Sequence, residues 1–448
     1  MKTLHLPSAY VPWVTGGTEI FCHRLCQNLQ KLGAESLVSF HQVSEQVPLG
    51  NHIHEGVRVQ VLPAIPDLRE RQALYSRTTR EASGFRQLLD EYQPDIVHFH
   101  NFSASQGITH LRLAKAAGCK TVLTYHTPTV SCSQHGLLYR SQSVCDGYIS
   151  LNRCSECRLS GAGLSPSLAG LAARVSLPWL DPNQANSLVR LLTTRQMTAA
   201  FRDSWQEMLD LVDAIHVLAA WVRDIVELNG ASPEKVYLIR TGGPEPVANN
   251  ETIVENQPER HGFNPPLRLA FIGRSTFIKG MHVLAEAVQQ LPQDFPVHVT
   301  FFRNSSSWEQ TEYGRELQHQ LENDHRFEVK YNLPNDQLLK VLSGFDLCVV
   351  PSLWLETGPL VVLESFAAGV PVLGSRLGGI AELVRDGVDG LLFEPGNSAE
   401  LANIIQRLVN NPKHLELLHK GVNPPRNLMR VTKDILILYK QLQGAYVV

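Results

Sequence analysis

The chain has 448 residues, of which 19% are charged, and a formal net charge of −3. That length suggests two or three domains with ample core, and the charge gives no global case for nucleic acid or an anionic membrane. No apolar run approaches the ~18 residues of a membrane span, and Met1-Lys-Thr-Leu-His-Leu-Pro turns polar too early for a signal peptide, so a cytoplasmic protein is expected. Leu4–Leu6 reads as a first core strand, followed by a loop and a helix over Thr18–Leu32. Leu37–Phe40 and Val57–Leu62 are short strands, Arg80–Tyr92 is helical, and Asp95–His100 is again a strand. A helix near Leu111–Ala117, then strands Lys120–Tyr125, Ala214–Leu218 and Val236–Ile239, keep the βα alternation of a parallel sheet covered on both faces.

Between Gly161 and Met208 the alternation breaks. Gly161–Leu180 is small and apolar, with Arg174 its one charge, and Asn186–Leu211 reads as an amphipathic helix. Such an insert packs on its parent domain or serves as an acceptor-binding or membrane-touching flap. Gly242–Pro266, rich in Pro, Asn, Glu and Gly, is the linker. A second βα series follows, with strands at Leu267–Ile272, Val297–Phe302, Phe327–Tyr331, Leu347–Val350, Pro371–Gly374 and Leu391–Phe393. Its helices are expected at Met281–Leu291, Asn335–Leu342, Leu360–Ala368 and near Ile380–Arg385. The fold class is therefore α/β, two doubly wound Rossmann-like halves with a cleft between them, and ligands in such sheets bind at the carboxyl ends of strands. The domains are expected at 1–245, with inserts around 127–160 and 161–211, and at 246–425, leaving 426–448 as a closing helix.

Glu356-Thr-Gly-Pro-Leu-Val-Val-Leu-Glu364 is the most informative stretch. It follows a strand and opens a helix, with Pro359 in the first turn and Thr357 or Gly358 as cap. Free amides of that turn, at the positive end of the helix dipole, suit a diphosphate. Glu356 in the loop and Glu364 a turn into the helix can flank one polyhydroxyl ligand. Gly16-Gly17 stands before the helix at Thr18 and lets backbone approach a phosphate. No G-x-G-x-x-G occurs, so a dinucleotide fingerprint is not supported. Arg274 and Lys279, after the first strand of the second half, can reach a diphosphate, the arginine bidentately.

His126 ends the strand Thr121–Tyr125 and is expected at the cleft on the acceptor side. His98 and His100 share a strand face at spacing two and read as cleft lining or packing. Of the eight cysteines, Cys22, Cys26, Cys119 and Cys348 look like small core residues. Cys132, Cys145, Cys154 and Cys157, spaced C-x12-C-x8-C-x2-C with a closing C-x-x-C hairpin, have the stoichiometry of a structural four-cysteine zinc site. An iron–sulfur cluster takes the same ligands, and disulfides or unpaired thiols are the plainer alternative.

In this order, Gly16-Gly17, Tyr125-His126, Arg274 with Lys279, and the E-x7-E of Glu356 and Glu364 resemble family 4 of the retaining, GT-B-fold glycosyltransferases. Glu364-Ser-Phe-Ala-Ala-Gly-Val-Pro371 and Gly378-Gly379-Ile-Ala-Glu382 are similar to that family's helix–strand–helix signature, and a subgroup of the family carries a similar cysteine insertion. The resemblance implies a nucleotide-sugar donor held mostly by the second half. Glu364 would take ribose hydroxyls, Glu356 hydroxyls of the donor sugar, and the amides of Gly358 and Leu360 sugar and phosphate oxygens. Arg274 and Lys279, with the Gly16-Gly17 amides, would neutralise the leaving diphosphate, and His126 would contact the donor sugar near the reacting carbon. No Asp-x-Asp occurs, so nothing marks a catalytic divalent cation and no cofactor is implied for the chemistry. The acceptor would be a hydroxyl of a glycan, polysaccharide, glycolipid or small glycoside, reached in the cytoplasm or peripherally on the inner face of a membrane. The closing helix, Val431–Tyr439, would cross back to the first domain. A sugar-nucleotide epimerase, a phosphorylase and a non-catalytic nucleotide-sugar-binding regulator remain the rival readings.

Overall fold

The computed structural model describes residues 1–14, 16–140, 142–245, 266–303 and 311–444. Two compact units emerge, Met1–Arg240 with Leu428–Val448, and Thr241–Asn427. Among the described residues no helix is long and apolar enough to cross a membrane.

The first unit is built on strands β1 (Lys2–Leu6), β2 (Glu35–His41), β3 (Gly50–His54), β4 (Val57–Leu62), β5 (Ile96–Phe99), β6 (Lys120–Tyr125), β9 (Ala214–Val217) and β10 (Val236–Leu238). They lie in the order β10-β9-β6-β5-β1-β2-β4-β3, parallel except for the pair β3–β4. A small hairpin, β7 (Leu138–Tyr139) with β8 (Ser143–Val144), stands apart. Parallel strands covered on both faces usually read as unbroken apolar runs. Here one face departs from that pattern. Thr3 and His5 of β1, His98 of β5, Thr124 of β6 and His216 of β9 are all buried, with His5 beside His98 and Thr124 beside His216 in register. Above that face pack Phe21, Leu25 and Leu29 of helix Gly17–Lys31, and Val431, Ile435, Leu438 and Tyr439 of helix Leu428–Leu442.

The second unit has β11 (Leu267–Ile272), β12 (Val297–Arg303), β13 (Phe327–Tyr331), β14 (Leu347–Val350), β15 (Val372–Ser375) and β16 (Gly390–Phe393). All are parallel, in the order β13-β12-β11-β14-β15-β16. Its two faces carry separate apolar clusters, one under helices Met281–Gln289 and Ser398–Asn410, the other under Leu360–Ala367. The chain enters and leaves this unit side by side, with Gly243 bridged to Asn427.

Several elements differ from the sequence-based expectation. Asn186–Leu211 is two helices, Ser187–Leu192 and Thr194–Leu211, because the hydroxyls of Thr193 and Thr194 turn back on the carbonyls of Val189 and Arg190. The helix read from Arg80 begins at Phe85. Strand Gly50–His54 and helices Ser398–Asn410 and Pro412–Gly421 are additional. Most of the linker Gly242–Pro266, residues 246–265, lies outside the described residues.

Candidate active site

In the second unit the loop after β14 folds around Glu356. Lys279 donates from Nζ to Glu356 Oε1 at 2.6 Å, and Ser352 Oγ donates to the same oxygen at 2.9 Å. Both carboxylate and ammonium are largely withdrawn from water, at 10% and 22% side-chain exposure. Burial works to raise the Glu356 carboxyl, but the Lys279 ammonium, together with hydrogen bonds from Trp354 and Ser352, outweighs it and holds the group below the usual carboxylate range. Two residues assigned to different parts of a ligand, Lys279 to the diphosphate and Glu356 to the sugar, thus meet each other. Arg274 is exposed and makes no ion pair among the described residues.

The glycines around this loop explain its shape. Gly280 has φ 71°, and a Cβ there would fall 1.8 Å from the carbonyl oxygen of Pro351, so only glycine lets β11's following turn approach the end of β14. Gly379 donates its N–H to the Glu356 carbonyl at 2.7 Å, and a Cβ there would come within 2.6 Å of that oxygen. The Gly378-Gly379 pair therefore clamps the Glu356 backbone from behind. Sequence reasoning missed this use of the pair, and it missed Ser352, four residues before the acid.

Pro359 is the N-cap of helix Leu360–Ala367, not a residue of its first turn, and no side chain caps that end. The expectation that Thr357 or Gly358 caps is corrected accordingly. Thr357 is buried, Gly358 and Leu360 are half-buried, and Glu364 is half-buried within the helix.

In the first unit Gly16 is the N-cap of helix Gly17–Lys31. A Cβ at Gly16 would lie 2.6 Å from Glu19 Oε2, so the chain's own carboxylate sits over this helix start. His126, just past β6, is 8% exposed and joins a string of buried rings. Its Nε2 lies 3.2 Å from His100 Nδ1, His100 Nε2 lies 3.0 Å from His5 Nδ1, and His5 Nε2 lies 3.0 Å from Thr3 Oγ1. Burial pushes the His126 imidazole down to about 3, with the nearby His216 adding to it, and pushes His100 down by the same cause. A second string runs from Ile239 O to His216 Nε2, then His216 Nδ1, Thr124, His98 and the Tyr439 hydroxyl. His98 and His100, read as lining or packing, are links of these two strings.

The four clustered cysteines all line one cavity, with Ser131, Tyr148 and Phe201. None of the eight cysteines is in a disulfide. The C-x-x-C is not a hairpin: Cys154 and Cys157 lie on helix Leu151–Gly161, one turn apart, while Cys145 follows the β7–β8 hairpin. Backbone N–H groups donate to sulfur, Gly147 to Cys145 at 3.5 Å and Arg140 to Cys157 at 3.2 Å. Burial pushes the thiols of Cys145, Cys154 and Cys157 up, Cys154 to about 11. Arg140, Arg153 and Arg158 each leave a buried guanidinium nitrogen without a hydrogen bond around this corner. Four sulfurs on one cavity and N–H groups donated to two of them fit a cation held by four thiolates, while Arg140 and Arg153 are already paired with Glu156 and Asp146. Tighter sets, within 4.8 Å, are His5 with Cys22 and His100, and His23 with His54 and Glu55; the four cysteines are not among them.

Two doubly wound units of this topology make a GT-B fold. The chain covers 98% of itself and 100% of Anabaena HepE in complex with UDP and glucose, with TM-score 0.65 and 16% identity. It covers 99% of itself and 100% of the sucrose-phosphate synthase of Thermosynechococcus elongatus, with TM-score 0.64 and 19% identity. The family model "Glycosyltransferase Family 4" matches residues 15–152, and "Glycosyl transferases group 1" matches 254–421. The chain belongs to glycosyltransferase family 4. Among curated relatives, a D-inositol 3-phosphate glycosyltransferase of Corynebacterium aurimucosum is 26% identical over 52% of this chain and 58% of its own length. A glycogen synthase of Mycobacterium tuberculosis is 26% identical over 52% of this chain and 59% of its own length. The chain thus spans about half the length of the curated relatives it matches.

Proposed function

We propose that this chain transfers a sugar, with retention, from a nucleotide-diphosphate sugar to a hydroxyl of a glycan, glycolipid or small glycoside. The observation that carries the reading is the buried Lys279–Glu356 pair set between a helix start and the end of a parallel strand. On donor binding Lys279 and exposed Arg274 neutralise the departing diphosphate, and Glu356 turns to the sugar hydroxyls. Glu364 takes the ribose hydroxyls, and the Gly358 and Leu360 amides take sugar or phosphate oxygens. His126 meets the donor sugar, and the Gly16-Gly17 amides assist once Glu19 yields to an anion. The chemistry asks for no divalent metal, because fixed cations and backbone amides supply the positive charge.

A structural zinc held by Cys132, Cys145, Cys154 and Cys157 belongs to the same proposal, its work being to fold the loop after His126. Stoichiometric zinc in protein purified without added metal, lost in Cys154→Ser, is the expected result. Iron with visible colour would assign an iron–sulfur cluster instead.

The function is tested by incubating the protein with UDP-, GDP- and ADP-sugars and measuring release of the nucleoside diphosphate. The uridine nucleotides come first, since Anabaena HepE is seen with UDP. Slow hydrolysis of one donor class, abolished in Lys279→Met, is expected. A protein that binds a donor and never turns it over is a regulator, and release dependent on inorganic phosphate is a phosphorylase.

A further inference from the structure

His54 is half-buried at the end of strand β3 and makes no hydrogen bond with any described residue, so both of its ring nitrogens are uncommitted. It lies against His23 of helix Gly17–Lys31, with ring centres 5.0 Å apart. Glu55 completes a group in which one ring nitrogen of each histidine and one carboxylate oxygen all lie within 4.8 Å of one another. Two imidazoles and a carboxylate are ligands that a zinc ion takes, at about 2.0–2.2 Å each. The His23 Nε2–Glu55 Oε2 separation of 3.1 Å is already close to the ~3.3 Å edge of a tetrahedron with bonds of that length.

The surroundings hold these ligands in place. The hydroxyl of buried Tyr10 lies 2.7 Å from His23 Nδ1, the ring nitrogen that Glu55 does not use. A hydroxyl can donate to a bare nitrogen or accept from an N–H. Tyr10 therefore keeps His23 Nε2 toward Glu55 whether that nitrogen carries a proton or an ion, as the outer partners of ligating histidines do. His54 pairs with Val57, which leaves Glu55-Gly56 as a two-residue hairpin loop with φ 43° and 83°. Such loops favour Asn-Gly or Asp-Gly; the glutamate here takes the same left-handed conformation and reaches His23. Gln27 and Gln30 of the helix donate to the carbonyls of Glu55 and Gly56 at 3.1 and 3.3 Å, which fixes the turn on the helix.

The other close set, His5 with Cys22 and His100, is a poorer host. Both nitrogens of His5 and of His100 are hydrogen-bonded and all three residues are fully buried, so an ion there would break bonds and lack a way in. The Glu55 side chain is 66% exposed, which gives an ion access and leaves water room at the remaining coordination position.

We propose that His23, His54 and Glu55 bind one exchangeable zinc ion, with Tyr10 positioning His23, and that the ion ties edge strand β3 to helix Gly17–Lys31. His23 stands about two turns, ~10 Å, past Gly16, so the ion acts on the framework and takes no part at that helix start. The site shares no residue with the four clustered cysteines, and the inference does not depend on the glycosyltransferase reading.

The test dialyses the full-length protein against buffered zinc and compares its metal content with that of His54→Ala, which removes a ligand without breaking a hydrogen bond. One ion per chain more in the wild type is expected; equal content would overturn the proposal. Glu55→Gln should lose the same ion, and it serves if His54→Ala does not fold. Cobalt(II) in place of zinc reads the ligands directly. The ion missing from the variant should show no thiolate charge-transfer band, and such a band in the difference spectrum would place it on sulfur and overturn the assignment. Tyr10→Phe should keep the ion and weaken its binding about tenfold; unchanged affinity would overturn the positioning role. Zinc should also slow hydrogen exchange in the β3–β4 hairpin of the wild type and not of His54→Ala, and binding without that slowing would overturn the tie between strand and helix.

Discussion

Buried polarity is handled differently in the two units. In the first, eight histidines are buried, and the strings through His5, His98, His100, His126 and His216 carry polar links through the core without a formal charge. In the second, no histidine is buried among the described residues, and the interior polar groups are ion pairs such as Lys279–Glu356 and Arg326–Asp324. Neutral rings avoid the cost of burying charge, but they fix one protonation state and must lose their fit when protonated. Ion pairs tolerate neutral pH indifferently, and one partner becomes a liability when the other is removed. One unit is therefore vulnerable to acid and the other to charge deletion.

The largest expected effect follows from the histidines. Burial pushes His126 down to about 3 and His216 to about 4, and lowers His41, His98, His100 and His110 as well. A folded state that refuses protons which the unfolded chain accepts is fully stable above the unfolded pKa, near 6.5. As pH falls below that value stability is lost, at about 1.4 kcal/mol per pH unit for each such ring, until the folded pKa is reached. Several rings acting together make the first unit unfold well before the second on titration from pH 7 to 5. Site-resolved hydrogen exchange checks this; equal loss in both units would break the contrast.

Next in size is charge deletion in the second unit. Lys279→Met leaves the Glu356 carboxylate buried without its cation, and such an uncompensated charge costs about 3–5 kcal/mol. Thermal unfolding of Lys279→Met, Glu356→Gln and the double variant measures it, with the double recovering stability but not turnover. The same pair sets its own acid limit. Because the Glu356 pKa is depressed in the folded chain, its contribution is present above the unfolded carboxyl value and disappears as pH falls through the folded one. That window opens only below the unfolded carboxyl value of about 4.3, so loss between pH 7 and 5 belongs to the histidines and the two effects overlap only at lower pH.

A backbone test is smaller and independent of protonation. Gly280→Ala must hold a left-handed residue, at about 1–2 kcal/mol, and press a methyl group toward the Pro351 carbonyl, for another ~1–3 kcal/mol. Chemical denaturation should show the loss in the second unit alone. An unchanged midpoint would mean that the turn after β11 can move away from β14.

How much of this was legible in sequence depended on the range of the signal. The strands of the second unit stood out because Leu267–Ile272 and Leu347–Val350 are apolar runs with short-range turn signals beside them. Gly50–His54 was missed because Asn51, His52 and His54 make a polar edge strand with no apolar face of its own. Lys279 and Glu356 were each singled out, but their partnership spans 77 residues and no local spacing encodes it. The same holds for the histidine strings. His98 and His100 show a strand period, whereas His5 and His216 lie within two other strands and His126 just past a third, and they meet only in the folded sheet. The cysteine spacing was visible, yet C-x-x-C suits a helical turn as well as a hairpin, so its helix was not.

The smallest effect concerns the cap of the Glu356 helix. Pro359 holds φ −66° at the N-cap, an angle its ring already prefers, and the helix end has no capping side chain to lose. Pro359→Ala therefore removes no capping hydrogen bond at this end. What it changes is the unfolded chain, which gains conformations, and the expected loss is about 0.4–1 kcal/mol. Had Pro359 lain in the first turn with Thr357 or Gly358 capping, Thr357→Ala would cost ~0.5–2 kcal/mol as a lost cap. With the observed geometry Thr357→Ala loses no cap bond, so faster hydrogen exchange confined to the first-turn amides of this helix in Thr357→Ala would mean the helix starts where the sequence first suggested. That pair of measurements settles where the free amides begin, and so which residues can offer them to a phosphate.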